Sequence, residues 1–101
     1  MHVTIVRVGT GDQDISTAAI VGEEMLRWLR DLDGFLGSMM LSREGTTLAL
    51  SFWESAEVAE RHSVVRTDFR QRISAVASVE IQDVEELEVT FAHLGAMMIG
   101  T

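Results

Sequence analysis

Five residue types are missing from this 101-residue chain: cysteine, proline, tyrosine, asparagine and lysine. Without cysteine there is no disulfide framework and no thiolate chemistry. Without the others, catalytic schemes that need an amide, phenol or amine at those positions fall away. Long apolar runs are missing too, because no stretch approaches the roughly 18 uninterrupted residues of a membrane span. The opening Met1-His2-Val3-Thr4-Ile5-Val6-Arg7 does not read as a signal peptide, since its apolar run is too short and no small-residue cleavage site follows. A soluble, cytoplasmic protein is the expectation. Positive charge is scarce: eight arginines face sixteen acidic residues, for a net charge of −8. A phosphate backbone repels such a surface, which excludes the usual nucleic-acid partners and leaves solubility as the plain role of the charge.

Apolar residues are plentiful, at 47% of the chain. The length points to one domain over residues 1–101, with the marginal monomer stability expected at this size. His2–Val8 reads as a strand rich in β-branched residues. A helix follows from about Ser16 to Leu32, capped by Asp14 or Ser16, with Ile15, Ala18, Ala19, Gly22, Met25, Leu26, Leu29 and Leu32 on one stripe. Phe35–Arg43 and Thr47–Glu54 form a hairpin around Glu44-Gly45-Thr46. Ser55 caps a second helix from Ala56 to about Ala77. Its seam is Val58, Val65, Phe69, Ile73 and Val76, with His62 in line and Glu57/Arg61 and Asp68/Arg72 as surface pairs. The last strand runs from Val79 to about His93, bulged near Val84-Glu85-Glu86. The tail from Leu94 stays unassigned. The order is β-α-β-β-α-β, which gives an α+β, ferredoxin-like fold: a four-stranded antiparallel sheet with two helices on one face.

A sheet with one wet face alternates apolar and polar residues. Leu48-Ala49-Leu50-Ser51-Phe52-Trp53 does not, and neither do Leu36-Gly37-Ser38-Met39-Met40-Leu41 or Val3-Thr4-Ile5-Val6. Two helices cover one face only. The other is an exposed patch larger than monomers tolerate, and the simplest cover is the same face of a second copy. A homodimer through the helix-free sheet face follows as an expectation.

The segment Leu32-Asp33-Gly34-Phe35-Leu36-Gly37, followed by a hairpin ending Ser51-Phe52-Trp53-Glu54-Ser55-Ala56-Glu57, resembles the antibiotic biosynthesis monooxygenase-like family of dimeric α/β-barrels. There a Gly-Phe opens the second strand, and a Trp-x-Ser pattern leads from the third strand into the second helix. The resemblance covers nearly the whole chain in element order. It implies a hydrophobic pocket between sheet and helices in each subunit, and members range from cofactor-free oxygenases acting on aromatic polyketides to haem-degrading enzymes and isomerases. Haem-degrading members resemble one another in an Asn on the first strand with a Trp and a His on the second helix. This chain has no Asn, and its second helix has no Trp, so that mechanism is not expected. Some polyketide oxygenases of the family use Asn, Trp and Tyr, of which only Trp is present here.

His62 on the apolar seam is the candidate general base, set against the plainer role of a core histidine bonded to a carbonyl or water. Trp53, Phe69, Met25, Trp28 and Arg7 are the candidate substrate-binding residues. The tryptophans offer apolar faces for stacking or for simple packing. Arg7 offers a fork for a ligand carboxylate or for a structural ion pair. Ser38 and Ser51 lack the base and oxyanion site that a serine nucleophile needs. His2, His62 and His93 are too scattered for a metal site, so neither metal nor cofactor is expected. Asp12/Asp14 and Asp31/Asp33 read as helix-end residues, Met39-Met40 and Met97-Met98 as gap fillers, and Gly9-x-Gly11 as a weak phosphate signal. The leading reading is a binder of a small, largely apolar, aromatic molecule, extending to a cofactor-independent monooxygenase of secondary metabolism. The alternative is a non-catalytic dimeric binding or regulatory module, and the sequence leaves open whether the chain is an enzyme.

Overall fold

β1 (His2–Gly9) owes its extended form to Val3, Thr4, Ile5, Val6 and Val8, whose branched side chains pack well on a pleated surface. The computed structural model describes residues 1–11, 13 and 16–95. β1 pairs antiparallel with β3 (Thr46–Trp53) on one side and β4 (Glu80–Glu88) on the other, and β2 (Phe35–Arg43) lies beyond β3. The sheet order β2-β3-β1-β4 is the ferredoxin-like one. Gly45, at φ 80°, closes the β2–β3 hairpin in a left-handed conformation that suits glycine.

α1 (Ser16–Leu29) stops short of Leu32. The Leu32 N–H bonds the Leu29 carbonyl at 3.0 Å and the Phe35 N–H bonds the Leu32 carbonyl at 3.1 Å, so tight turns replace the last predicted helical turn. Gly34 takes φ 85° there, and a Cβ at this position would run into the Val58 side chain. Asp12, Asp14, Ile15 and Met97-Met98, to which the sequence assigned turn, cap, stripe and filler roles, lie outside the described residues.

The single second helix expected from the sequence is two. α2 (Ala56–Arg61) starts as predicted: Ser55 Oγ accepts a hydrogen bond from the Val58 N–H at 3.2 Å. α3 (Ser63–Val76) begins only after a step at His62, with φ −100° and ψ 19°. The His62 N–H reaches the Ala59 carbonyl at 3.2 Å, a tighter pitch than an α-helix. That step re-phases the buried stripe. Val58 and Ala59 of α2 and Arg66, Phe69 and Ile73 of α3 are buried, whereas Val76 is 71% exposed. Neither predicted surface pair forms an ion pair among the described residues; Arg61 lies instead 3.8 Å from the Asp33 carboxylate.

β4 ends at Glu88 and not near His93. Its irregularity lies at Gln82, because Arg7 pairs with Asp83 but Val8 with Ile81. Strand alternation then sorts the sheet. Thr4, Val6, Val8, Ala49 and Ser51 face the helices, where they share one cavity with α1 and α3. Ile5, Met39, Leu41, Leu48, Leu50, Phe52 and Leu87 share the opposite face by register. No helix among the described residues is long and apolar enough to cross a membrane.

Candidate functional site

The cavity between sheet and helices has a volume of about 50 Å³. Its walls are Val6, Val8, Ala49 and Ile81 from the strands, Ala18, Val21, Met25 and Leu29 from α1, and Phe69 and Ile73 from α3, with Met40 of β2 at one side. Met40 packs against Gly22 of α1, where a Cβ would come within 2.9 Å of its Cγ, so glycine lets helix and strand approach closely. The polar residues of the lining are Thr4, Thr10, Thr47, Ser51, Arg66 and Arg70. Among the described residues no histidine and no carboxylate lines it.

Arg66 is the organising residue. It is 7% exposed, yet every wall around its head supplies an acceptor. Nη1 donates to the Ala59 carbonyl at 2.8 Å. Nη2 donates to Thr4 Oγ1 at 2.7 Å and to the Glu86 carboxylate at 3.0 and 3.2 Å. Thr4 in turn donates to Glu86 at 3.0 Å, and the His2 Nε2 donates to the same oxygen at 3.0 Å. β1, β4 and α3 are thus tied through one buried charge. A buried arginine needs such a shell, since an unpaired charge there costs several kcal/mol.

Burial pushes the Glu86 carboxyl upward, but the hydrogen bond from His2, the charge of Arg66 and the hydrogen bonds from Thr4 and Arg66 outweigh it and hold the group below its ordinary value of 4.5. In acid the unfolded chain therefore binds more protons than the folded one, and stability rises with pH through that window. The contribution is complete above about pH 4.5 and disappears as the pH falls through the lower folded value. Glu86→Gln is expected to be less stable than the parent at neutral pH and to show a flatter loss of melting temperature from pH 6 toward 3. Parallel curves for the two proteins would contradict this.

The structure gathers only some of the sequence candidates. Met25 and Phe69 line the cavity. Trp28 stacks obliquely on Phe69 at 5.7 Å, behind the wall. Trp53 is fully buried, donates from Nε1 to Ser51 Oγ at 3.0 Å and packs edge-on to Phe35 at 5.3 Å. It also touches His62 at 5.7 Å and carries the Arg66 guanidinium 5.6 Å from its ring centroid. His62 sits at the α2–α3 step, outside the cavity lining. Its Nε2 donates to the Asp33 carbonyl at 2.9 Å, which fixes the proton on Nε2 and leaves Nδ1 as the free nitrogen. Arg7 is exposed on the other face of the sheet, opposite Asp83 in the ladder.

Sequence reasoning passed over Arg66, Thr4 and Glu86. The spacing of Arg66, Phe69 and Ile73 at three and seven was a usable signal, because it places a cation on a buried stripe. The partners Thr4 and Glu86 lie 62 and 20 residues away and become visible only in the fold. Among the described residues no cluster of histidines and acids could hold a metal ion.

No known family model matches the chain, and no curated protein does. Solved structures do. A Deinococcus radiodurans protein provisionally assigned as an antibiotic biosynthesis monooxygenase superposes with a TM-score of 0.65 at 17% identity, over 93% of this chain and 97% of its own. SnoaB, a cofactor-independent oxygenase from Streptomyces nogalater, gives 0.65 at 13% identity, over 90% and 95%. The monooxygenase from the ActVA-Orf6 gene of Streptomyces coelicolor, solved with nanaomycin D, gives 0.63 at 15% identity, over 94% and 92%. At these identities the likeness is one of fold. The chain has the ferredoxin-like fold of antibiotic biosynthesis monooxygenases, as its strand-two and strand-three motifs implied.

Proposed function

We propose that this chain binds a small, largely apolar molecule between its sheet and helices, and that it does so as a homodimer. The lining carries the first part. Apolar side chains from both layers surround space they do not fill, in a protein class whose interiors pack like crystals. At about 24 cal/mol per Å³, a void of about 50 Å³ costs on the order of 1 kcal/mol, which a ligand would recover. Ordinary ligand pockets hold roughly 300–1,000 Å³, so a ring-sized ligand requires the walls to give. Met25 and Met40 supply that give, being unbranched and adaptable. Native mass spectrometry of the protein purified from its own host is expected to show one small molecule per chain, released by organic solvent. A bare mass would count against binding.

The likeness to SnoaB and to the ActVA-Orf6 monooxygenase favours a second reading, oxygenation without a cofactor. A phenol would take one atom of O2 at a ring carbon to become a quinone, while the other atom leaves as water with the ring and phenolic hydrogens. Among the described residues the lining offers no imidazole or carboxylate, so the phenol ionises without an adjacent base from them, or passes its proton to His62, whose ring lies 5.7 Å from that of Trp53. Oxygen uptake with 1-naphthol, and its survival or loss in His62→Ala, separates these routes. No uptake leaves binding alone.

The dimer is proposed from apolar side chains left exposed on the sheet. Leu41 and Leu87 on the helix-free face are 45% and 48% exposed, and Phe91 beyond β4 is 87% exposed. A second copy would cover them.

A further inference from the structure

Arg70 lines the same cavity one helical turn beyond Arg66, and its electrostatics are unbalanced. Its Nη2 donates to Thr67 Oγ1 at 3.3 Å, on its own helix. Among the described residues it makes no other hydrogen bond and no ion pair. Arg66 has three kinds of acceptor; Arg70 has a single long contact for five donors. Glu86, the carboxylate whose charge favours the Arg70 cation, is already engaged by Arg66, Thr4 and His2. Like charges at i and i+4 on one helix repel. Burial and the Arg66 charge both work against the Arg70 cation, with Glu86 only partly offsetting them. A half-buried arginine held beside another arginine, facing apolar walls, lowers stability unless something anionic completes it.

We propose that the ligand of this cavity is an apolar acid whose carboxylate is bound by Arg70. This rests on the reading of the cavity as a ligand site and adds the ligand's chemical class. The lining suits it: Met25, Phe69 and Ile73 take the apolar body, while Arg70, held by one long contact to Thr67, is the lining cation with donors left for a carboxylate. Arg66 contributes long-range attraction and keeps its own partners. The overall charge of −8 disfavours anions everywhere else on the surface, so a preference for an acid has to come from a local cation.

Benzoate and benzamide, equal in shape and different in charge, test the proposal by NMR titration of the methionine methyls. The parent is expected to bind benzoate roughly ten- to a hundredfold more tightly than benzamide, the range of a charge-assisted bidentate contact. Arg70→Gln should bring benzoate down to the benzamide level and leave benzamide unchanged. Arg70→Lys, which keeps charge but loses the fork, should fall between them. The melting temperature of Arg70→Gln should match or exceed the parent's, because a repulsive charge is removed. Equal binding of the two probes by the parent, or an undiminished benzoate preference in Arg70→Gln, would overturn the carboxylate assignment while leaving the cavity a ligand site. Failure of both probes to perturb Met25 and Met40 would instead sink the ligand site itself.

Discussion

Arg66→Met is expected to lose about 2–3 kcal/mol of folding stability, seen as an earlier urea midpoint at unchanged slope. The side chain is 8% exposed and ends in charge-assisted bonds to Glu86, so its loss strands a carboxylate that was built around it. Two details hold the effect toward the low end of the roughly 3–5 kcal/mol for a broken buried pair. Glu86 keeps 42% of its side chain in water and can resolvate there. The Ala59 carbonyl retains the His62 N–H, and Thr4 retains Glu86. The double variant Arg66→Met/Glu86→Leu should recover part of the loss, since an apolar replacement leaves no orphan charge. A single variant as stable as the parent would show that the cluster does not hold β1, β4 and α3 together.

Leu50→Arg is expected to convert the proposed dimer to a folded monomer at micromolar concentration. Leu50 pairs with Ile5 on one side and Met39 on the other, which puts it mid-sheet on the helix-free face. Twofold pairing of this face would bring two copies of the new guanidinium out of water near one another, at a cost of several kcal/mol each. The helix-side core, including Ala49 and Ser51, faces the other way and is untouched, so the far-ultraviolet spectrum should persist. Sedimentation of the parent as a monomer would remove the premise.

The fold was legible because its signals are local. β-branched runs, Gly34 and Gly45 at left-handed turns, and the Ser55 cap each act within a few residues, and all fall where the sequence placed them. The helix break at His62 was not legible in the local pattern, and the His62 side chain there bonds a carbonyl 29 residues earlier, at Asp33. The site was only half legible for the same reason. Met25 and Phe69 follow from periodicity and do line the cavity. Arg66 was passed over as one arginine among eight: its spacing with Phe69 and Ile73 hints at burial, but the partners that make a buried charge tolerable lie far away in sequence. Assuming one continuous helix also carried the expected seam on to Val76, which is exposed, and left Arg66 out of the stripe it shares with Phe69 and Ile73.

On the proposed function, the space beneath Met25 and Met40 takes a small apolar molecule. Methyl NMR of the protein during titration with 1-naphthol tests this most directly. The Met25 and Met40 methyl signals are expected to move together and saturate at one probe per chain, while Met1 stays still. Unmoved Met25 and Met40 signals, with shifts confined to exposed residues such as Phe91, would contradict it.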